Sequence, residues 1–482
     1  MNGIGDNLSG GRPASQRTDG GGAGAPGDGG LLARLGLHRP ELRAWAMYDW
    51  AISGMQAVIL ASVFQIYFAR VAAAGLEGSQ ATAAWSATNT AGAVLVAVIA
   101  PILGALADYA AIKKRLIAVF MIVGVIGTGG MFFIQQGDLT LAIILFLLSL
   151  IGSTASLTFY ESLLPHIAEP HEVDRVSTGG YALGYLGGGL LLALNLAWIT
   201  FPGAFGLPSG EGLTAAESTL PSRLAFVSVA VWWVVFSAPL FLRVREPARR
   251  LEADERPGHS AVRVAFARLG ETLREMRGYR QAFLMLLAFL MYNDGIQTII
   301  KTAAAYGTEL GIPQGALIGS ILLVQFVGVP FAFLFGMLAG RLGAKRSIFL
   351  GLLAYTAISV VGYFMRTATH FLILAVLVGM VQGGTQALSR SLFASMVPPH
   401  KSGEFFGFYS VFEKFANIFG PLLFSLTIAV TGQTRYAILS VIFFFAVGAA
   451  LLAMVDVEEG QRVAREAERD TRVVPAAGAA GG

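Results

Sequence analysis

Apolar stretches of about 20 residues recur throughout this chain, each closed by charged or turn-forming residues; 116–134, 139–164, 224–242, 346–365 and 434–455 are the clearest. At a rise of 1.5 Å per residue, a helix of that length crosses a hydrocarbon core roughly 30 Å thick. Inside lipid the backbone has no hydrogen-bond partner but itself, so repeated segments of this kind permit a bundle of spanning helices and little else. Composition agrees, since 55% hydrophobic against 13% charged residues is not the balance of a water-facing surface. The chain has no cysteine, which excludes disulfides, thiolate metal sites and cysteine nucleophiles. Its formal net charge of +4 does not indicate nucleic acid, because the basic residues are confined to particular loops.

The pattern predicts twelve spans, at 42–70, 80–107, 114–135, 139–164, 177–200, 223–243, 280–306, 314–339, 346–365, 370–397, 405–430 and 434–456. They divide six and six around a hydrophilic connector, 244–279, that carries Arg245, Arg249, Arg250, Arg256, Arg263, Arg268, Arg274 and Arg277. The expected organisation is a tail over 1–38, a first six-helix bundle over 39–243, the connector, a second bundle over 280–456 and a tail over 457–482. Residues 1–30 are rich in Gly, Ser, Ala and Pro and read as disordered; no apolar segment follows Met1 closely enough for a signal peptide. The run "EEGQRVAREAERDTR" from 458 reads as a solvated helix leading into the second tail. Lys113, Lys114, Arg115, the arginine series, Arg341, Lys345 and Arg346 collect in the loops after spans two, six and eight. By the excess of Lys and Arg in cytoplasmic loops, those loops and both termini face the cytoplasm.

The two halves resemble each other. "GALADYAAIKKR" from 104 aligns with "GMLAGRLGAKRS" from 336, setting Gly104 against Gly336, Asp108 against Gly340, and Lys113 and Lys114 against Lys345 and Arg346. Pro165 and Pro398 follow the fourth helix of each half, and "MYDW" at 47 matches "MYND" at 291 in the first. Three matches in the same order indicate a parallel duplication, an architecture of secondary transporters whose solute site lies between the halves near the bilayer midplane.

The series Gly104, Asp108, Lys113, Lys114, Arg115 resembles the loop motif of the major facilitator superfamily, with Ala111 where a second Gly is usual. "MYDWAIS", "PILGALADY", "YALGYLGGGLLLALN", "LMYNDGIQT" and "GGTQALSRSLFASMVP" further resemble the vacuole-effluxer group, over about residues 45–421. The resemblance implies an all-α membrane protein, with twelve transmembrane helices in two pseudo-symmetric six-helix halves, that exports a solute; amino acids are the class attested in fungal vacuoles. The expected location is a bacterial inner membrane.

A charge at bilayer depth costs on the order of 3 kcal/mol, so ionisable residues inside spans carry the best clues to mechanism. Asp49, Glu161, Arg390, Glu413 and Lys414 fall toward the cytoplasmic third, and with Asp108, Lys113, Lys114 and Arg115 they form a candidate gating layer. Three readings stand for it: ion pairs locking the halves together, direct coupling to protons, and helix-end charges reaching for the interface. Tyr48, Asp49, Asn293, Asp294 and Gln297 are the candidates for solute binding or coupling, with Asn293 and Asp294 expected to face Asp49 across a pseudo-symmetric cavity. The alternative for these is hydrogen bonding between helices, which is also the expectation for Asn195, Gln382 and Gln386. The glycines of "GGYALGYLGGG" (179–189) are expected to allow close helix packing; a dinucleotide site would require a preceding strand. None of His38, His166, His171, His259, His370 and His400 sits in a metal-binding spacing, and no phosphate-binding Gly-Lys-Ser loop is present, so neither a metal, a cofactor nor direct ATP use is expected.

The functional expectation is therefore a secondary transporter rather than an enzyme, moving a small polar solute by alternating access, with protons as the candidate coupling ion and lipid as its solvent. A lipid or drug exporter of the same fold and a non-transporting membrane sensor or adaptor are the alternatives, the latter using the arginine-rich connector as a partner or anionic-lipid surface.

Overall fold

The structure is a computed structural model that describes residues 30–76, 78–248, 250–251, 278–309, 312, 314–416, 419–469 and 471–473. Among the described residues, twelve helices are long and apolar enough to cross a membrane. They run over Pro40–Ala72, Ala87–Ala110, Lys113–Phe133, Leu139–Ile167, Val173–Thr200, Ala215–Arg243, Arg280–Ala303, Gly319–Leu342, Ala344–Tyr363, Ala368–Ser395, Pro399–Thr431 and Thr434–Ala453, and are numbered one to twelve below. Each expected span coincides with one of these.

The boundaries differ where polar residues continue a helix beyond the apolar run. Span six starts at Ala215, eight residues before its expected start, because Thr214 and Glu217 form a reciprocal capping box. Span four runs on to Ile167 through a helical turn that accepts Pro165 in its first positions, where no backbone N–H is needed. Span one begins with Pro40 at the same kind of position, and near its middle it passes through a wide π turn, Gln56–Leu60. Ser62 then leaves helical geometry at φ −144° and ψ −88° before the helix resumes. Span eleven is likewise divided, into Ser402–Phe415 and Phe419–Thr431.

The internal duplication is visible in bonding, with one change of register. Lys114 Nζ donates to the carbonyls of Phe241 (3.1 Å) and Val244 (2.5 Å) at the end of span six. Lys345 Nζ donates in the same way to Ala453 (2.9 Å) and Val455 (2.7 Å) at the end of span twelve. The structural counterpart of Lys345 is thus Lys114, not Lys113, because the second-half loop reaches its next helix one residue sooner: Gly343 caps that helix, whereas Ile112 caps span three. Lys113 is released for other bonds.

Outside the spans, the stretch 30–38 touches the bundle at Gly36 and Leu37, while Leu31, Leu32 and Arg34 are exposed. Leu31–Arg34 forms a helical turn, Leu37 is buried, and Gly36 lies against the backbone of Arg175. The C-terminal helix, Val457–Arg469, also docks on the bundle: Gly460 abuts Met396, Gln461 bonds Ser395, and His400 meets Glu468 at 2.7 Å. Arg250–Leu251 pairs antiparallel with Arg472–Val473, a two-residue contact between connector and C-terminal segment. Residues 1–29 and most of the arginine series (Arg249, Arg256, Arg263, Arg268, Arg274 and Arg277) lie outside the described residues.

Candidate functional site between the two halves

The halves meet at the end of the bundle that carries the basic loops, and the meeting surface is built from the backbone outward. Gly104 in span two and Gly403 in span eleven lack side chains where the two helices touch backbone to backbone. That approach brings Asp108 to the start of the Ser402–Phe415 helix, where its carboxylate accepts from the N–H groups of Gly403 (3.1 Å) and Glu404 (3.0 Å). A helix N-terminus presents unpaired N–H groups and the positive end of a dipole, so a carboxylate there is doubly favoured. Lys113 neutralises the same carboxylate at 2.8 Å, and its ammonium also donates to Ser402 Oγ (2.6 Å) and His166 Nε2 (2.9 Å). Asp108 and Lys113 are both buried.

Deeper in the bundle, Arg390 of span ten is almost wholly enclosed. Its Nε donates to Ser177 Oγ (2.9 Å) and its Nη2 to the Ser177 carbonyl (3.0 Å). Nη2 also lies 3.3 Å from Asp49 Oδ2, and Nη1 lies 3.6 Å from Glu161 Oε1. The guanidinium carbon sits over three rings, at 4.5 Å from Tyr181, 5.0 Å from Trp45 and 5.9 Å from Tyr160, all within cation–π range. Trp45 and Tyr160 are themselves stacked at 4.6 Å, the Trp45 indole N–H donates to the Tyr160 carbonyl (3.2 Å), and the Tyr160 hydroxyl donates to Asp49 Oδ2 (2.8 Å). Gly180 makes this assembly possible: a Cβ there would run into Asp49 and Trp45.

The structure therefore brings Asp49, Glu161 and Arg390 into one cluster, with Glu413 and Lys414, themselves 3.7 Å apart, near enough to act on Glu161 electrostatically. It does not bring Asn293 or Asp294 to Asp49. Asp294 stays within its own half, where its Oδ2 accepts from the Gly420 N–H (2.8 Å) at the start of the second segment of span eleven. Asn293 is buried beside it with neither side-chain polar atom hydrogen-bonded, and Gln297 is half-buried. Tyr48 is fully buried against Tyr160, at 4.9 Å between rings. Lys114 holds the end of span six as described, and its backbone N–H donates to Glu246 (2.9 Å); Arg115 is exposed. Asn195 does join two helices, bonding the Leu191 carbonyl and the Ser228 hydroxyl.

Reasoning from charge alone overlooked Trp45, Tyr160, Tyr181, Ser177 and Ser402. Two of them carried a signal: Trp45 stands four residues before Asp49, on the same helix face, and Tyr160 immediately precedes Glu161.

Two six-helix halves joined in this way make a major facilitator fold. The chain resembles the proton:xylose symporter XylE with a TM-score of 0.66 at 14% identity, over 88% of this chain and 98% of that one. It resembles the transporter FucP in its outward conformation with a TM-score of 0.64, also at 14% identity, over 88% and 99% of the two chains. The solved structures show the fold, and a family match and a bacterial relative make the molecule a multi-pass membrane transporter of the major facilitator superfamily. Within it, the chain belongs to the "Vacuole effluxer Atg22 like" family, whose model matches residues 38–465. The "Uncharacterized MFS-type transporter YxiO" of Bacillus subtilis is 36% identical over 88% of this chain and 96% of its own length. Autophagy-related protein 22-1 of Penicillium rubens is 27% identical over 61% of this chain, and the alignment spans about half (52%) of that fungal protein.

Proposed function

We propose that this transporter exports a small polar solute of the amino-acid class by alternating access, coupled to protons, from the cytoplasm of a bacterial cell whose inner membrane it spans. The observation that carries the reading is the cross-link from Arg390 in one half to Asp49 and Glu161 in the other. Together with the capping of span eleven by Asp108, it consists of bonds that exist only while the halves touch at the basic end. Alternating access requires such bonds to be broken and remade in each cycle. In this reading Asp108, Lys113, Lys114, Arg115, Glu161, Arg390, Glu413 and Lys414 form the gate, and the excess of basic residues sets the gate and both termini in the cytoplasm. Tyr48, Asp49, Asn293, Asp294 and Gln297 serve the solute or the proton; the unbonded amide of buried Asn293 supports its assignment to a solute. Two carboxylates facing one guanidinium leave a formal negative charge in the cluster, which supports a proton or a cationic group as a participant. Proteoliposomes loaded with an amino-acid mixture and subjected to a pH gradient test the reading: flux should follow the gradient in the wild type and lose its pH dependence in Asp49→Asn. Absence of flux for every solute in the wild type would refute export of this class.

A further inference from the structure

Arg390 is held by a receptor whose described members all belong to the other half. Each of the partners described for its guanidinium (Ser177, Asp49, Glu161, and the rings of Trp45, Tyr160 and Tyr181) comes from spans one, four and five. The receptor answers the guanidinium in all its chemical features: acceptors face Nε, Nη1 and Nη2, and aromatic rings face the flat cation. It does not depend on Arg390 for its shape, since the Trp45–Tyr160 stack, the Tyr160-to-Asp49 hydrogen bond and the Trp45-to-Tyr160 hydrogen bond lie within the first half. When the halves part at the basic end, span ten carries Arg390 away and leaves a preformed pocket with two carboxylates and no resident cation.

We propose that this pocket is a guanidinium-binding site, filled by Arg390 while the basic end is closed and by a guanidinium-bearing solute entering from that end once Arg390 withdraws. The inference rests on the reading of the chain as an alternating-access transporter and narrows its solute to a planar cation. It also makes occupancy exclusive: the halves cannot close at the basic end until Arg390 has displaced the solute cation from the pocket.

The test compares methylguanidinium with methylurea, a neutral molecule of nearly the same shape. Full-length wild type, Arg390→Ala and Arg390→Ala/Asp49→Asn, each in lipid nanodiscs, are titrated by calorimetry. Methylguanidinium is expected to bind Arg390→Ala at least tenfold more tightly than the wild type, the double variant is expected to lose that gain, and methylurea should bind none of them. Equal affinity of methylguanidinium for Arg390→Ala and wild type overturns the proposal, as does equal binding of methylurea. If Arg390→Ala is not recovered folded, Arg390→Gln, which removes the cation while keeping much of the side chain's bulk, replaces it and the same comparison decides. Counterflow of amino acids by the wild type is measured alongside. Flux without preferential methylguanidinium binding by the variant removes the pocket and keeps the transporter, whereas binding without flux keeps the pocket and removes the export reading.

Discussion

Replacing Asp108 by Asn should move the molecule from the arrangement closed at the basic end toward one open there. The wild-type carboxylate accepts two N–H groups at 3.1 and 3.0 Å from the first turn of the Ser402–Phe415 helix. An Asn of the same shape has one oxygen to offer, and its NH2 group turns a donor toward a donor. The loss is about one charge-assisted hydrogen bond, ~2–3 kcal/mol, the upper part of that range including the lost attraction to the helix dipole. Because Gly403 and Glu404 belong to the other half, that loss falls on the closed arrangement alone. It shifts the equilibrium between closed and open roughly 30- to 140-fold, at 1.4 kcal/mol per tenfold. Lys113 shares the first half with Asp108, so their mutual bond can persist in both arrangements and adds little to the difference, whereas the Lys113 bond to Ser402 crosses between the halves and is kept in the variant.

Spin labels on cysteines introduced at Arg115 and Arg341, exposed at the basic end of opposite halves, report the separation by pulsed electron resonance. The natural chain contains no cysteine to interfere. A longer distance should gain weight in Asp108→Asn while labels at Gln136 and Arg366, toward the opposite end, move closer. The comparison is repeated with Arg390→Gln as the background, where the second cross-link is already weakened and a shift of this size must become visible. Unchanged distance distributions in both backgrounds, with the protein folded, would refute the claim that the Asp108 bonds hold the halves together.

Ala111 adopts a left-handed backbone at φ +51°, the position where Gly is usual in the loop motif. Ala111→Gly should relieve ~1–2 kcal/mol of strain against ~0.4–1 kcal/mol of added unfolded-state entropy, raising the melting temperature slightly; a fall would contradict the strain argument. Gly420→Ala should destabilise by about 1–3 kcal/mol, since its methyl would overlap Thr298 and Asp294, and an unchanged melting temperature would show that span eleven yields freely there. Burial pushes the Glu246 carboxyl above its ordinary value of 4.5, with hydrogen bonds from the Lys114 and Lys113 backbones opposing the shift. The folded state then holds this proton more tightly than the unfolded one, so its stabilising contribution is present below pH 4.5 and is lost as pH rises through the folded value. Glu246→Gln should accordingly melt higher than the wild type at neutral pH and match it below pH 4.5, and the reverse ordering would refute the sign.

The fold was legible because lipid leaves so few options: length and apolarity located all twelve spans, and errors arose where capping extended a helix over polar residues, as at Thr214. The loop register was misread by one position. Matching "GALADYAAIKKR" to "GMLAGRLGAKRS" without a gap pairs Lys113 with Lys345, but bonding to the sixth helix of each half pairs Lys114 with Lys345. Nothing in the letters shows a loop one residue shorter when both versions carry adjacent basic residues.

The site divides along a more instructive line. Two criteria applied to Asp49 pointed to different partners: depth in the membrane grouped it with Glu161 and Arg390, while the repeated Tyr-and-polar pattern grouped it with Asn293 and Asp294. The geometry follows depth. An unpaired buried charge costs several kcal/mol wherever it lies, so a carboxylate must find a cation at its own level. Duplication carries no such penalty; it repeats the helix but leaves each side chain free to take a different partner once the halves diverge. Asp294 shows the result, satisfied in part by the Gly420 N–H of its own half while Asp49 reaches across to the other. In such a bundle the depth of each charge is therefore a stronger guide to its partner than internal symmetry. The rings that complete the Arg390 pocket were hidden from both criteria, because Trp45, Tyr160 and Tyr181 look like ordinary span residues until the fold sets them around a single cation.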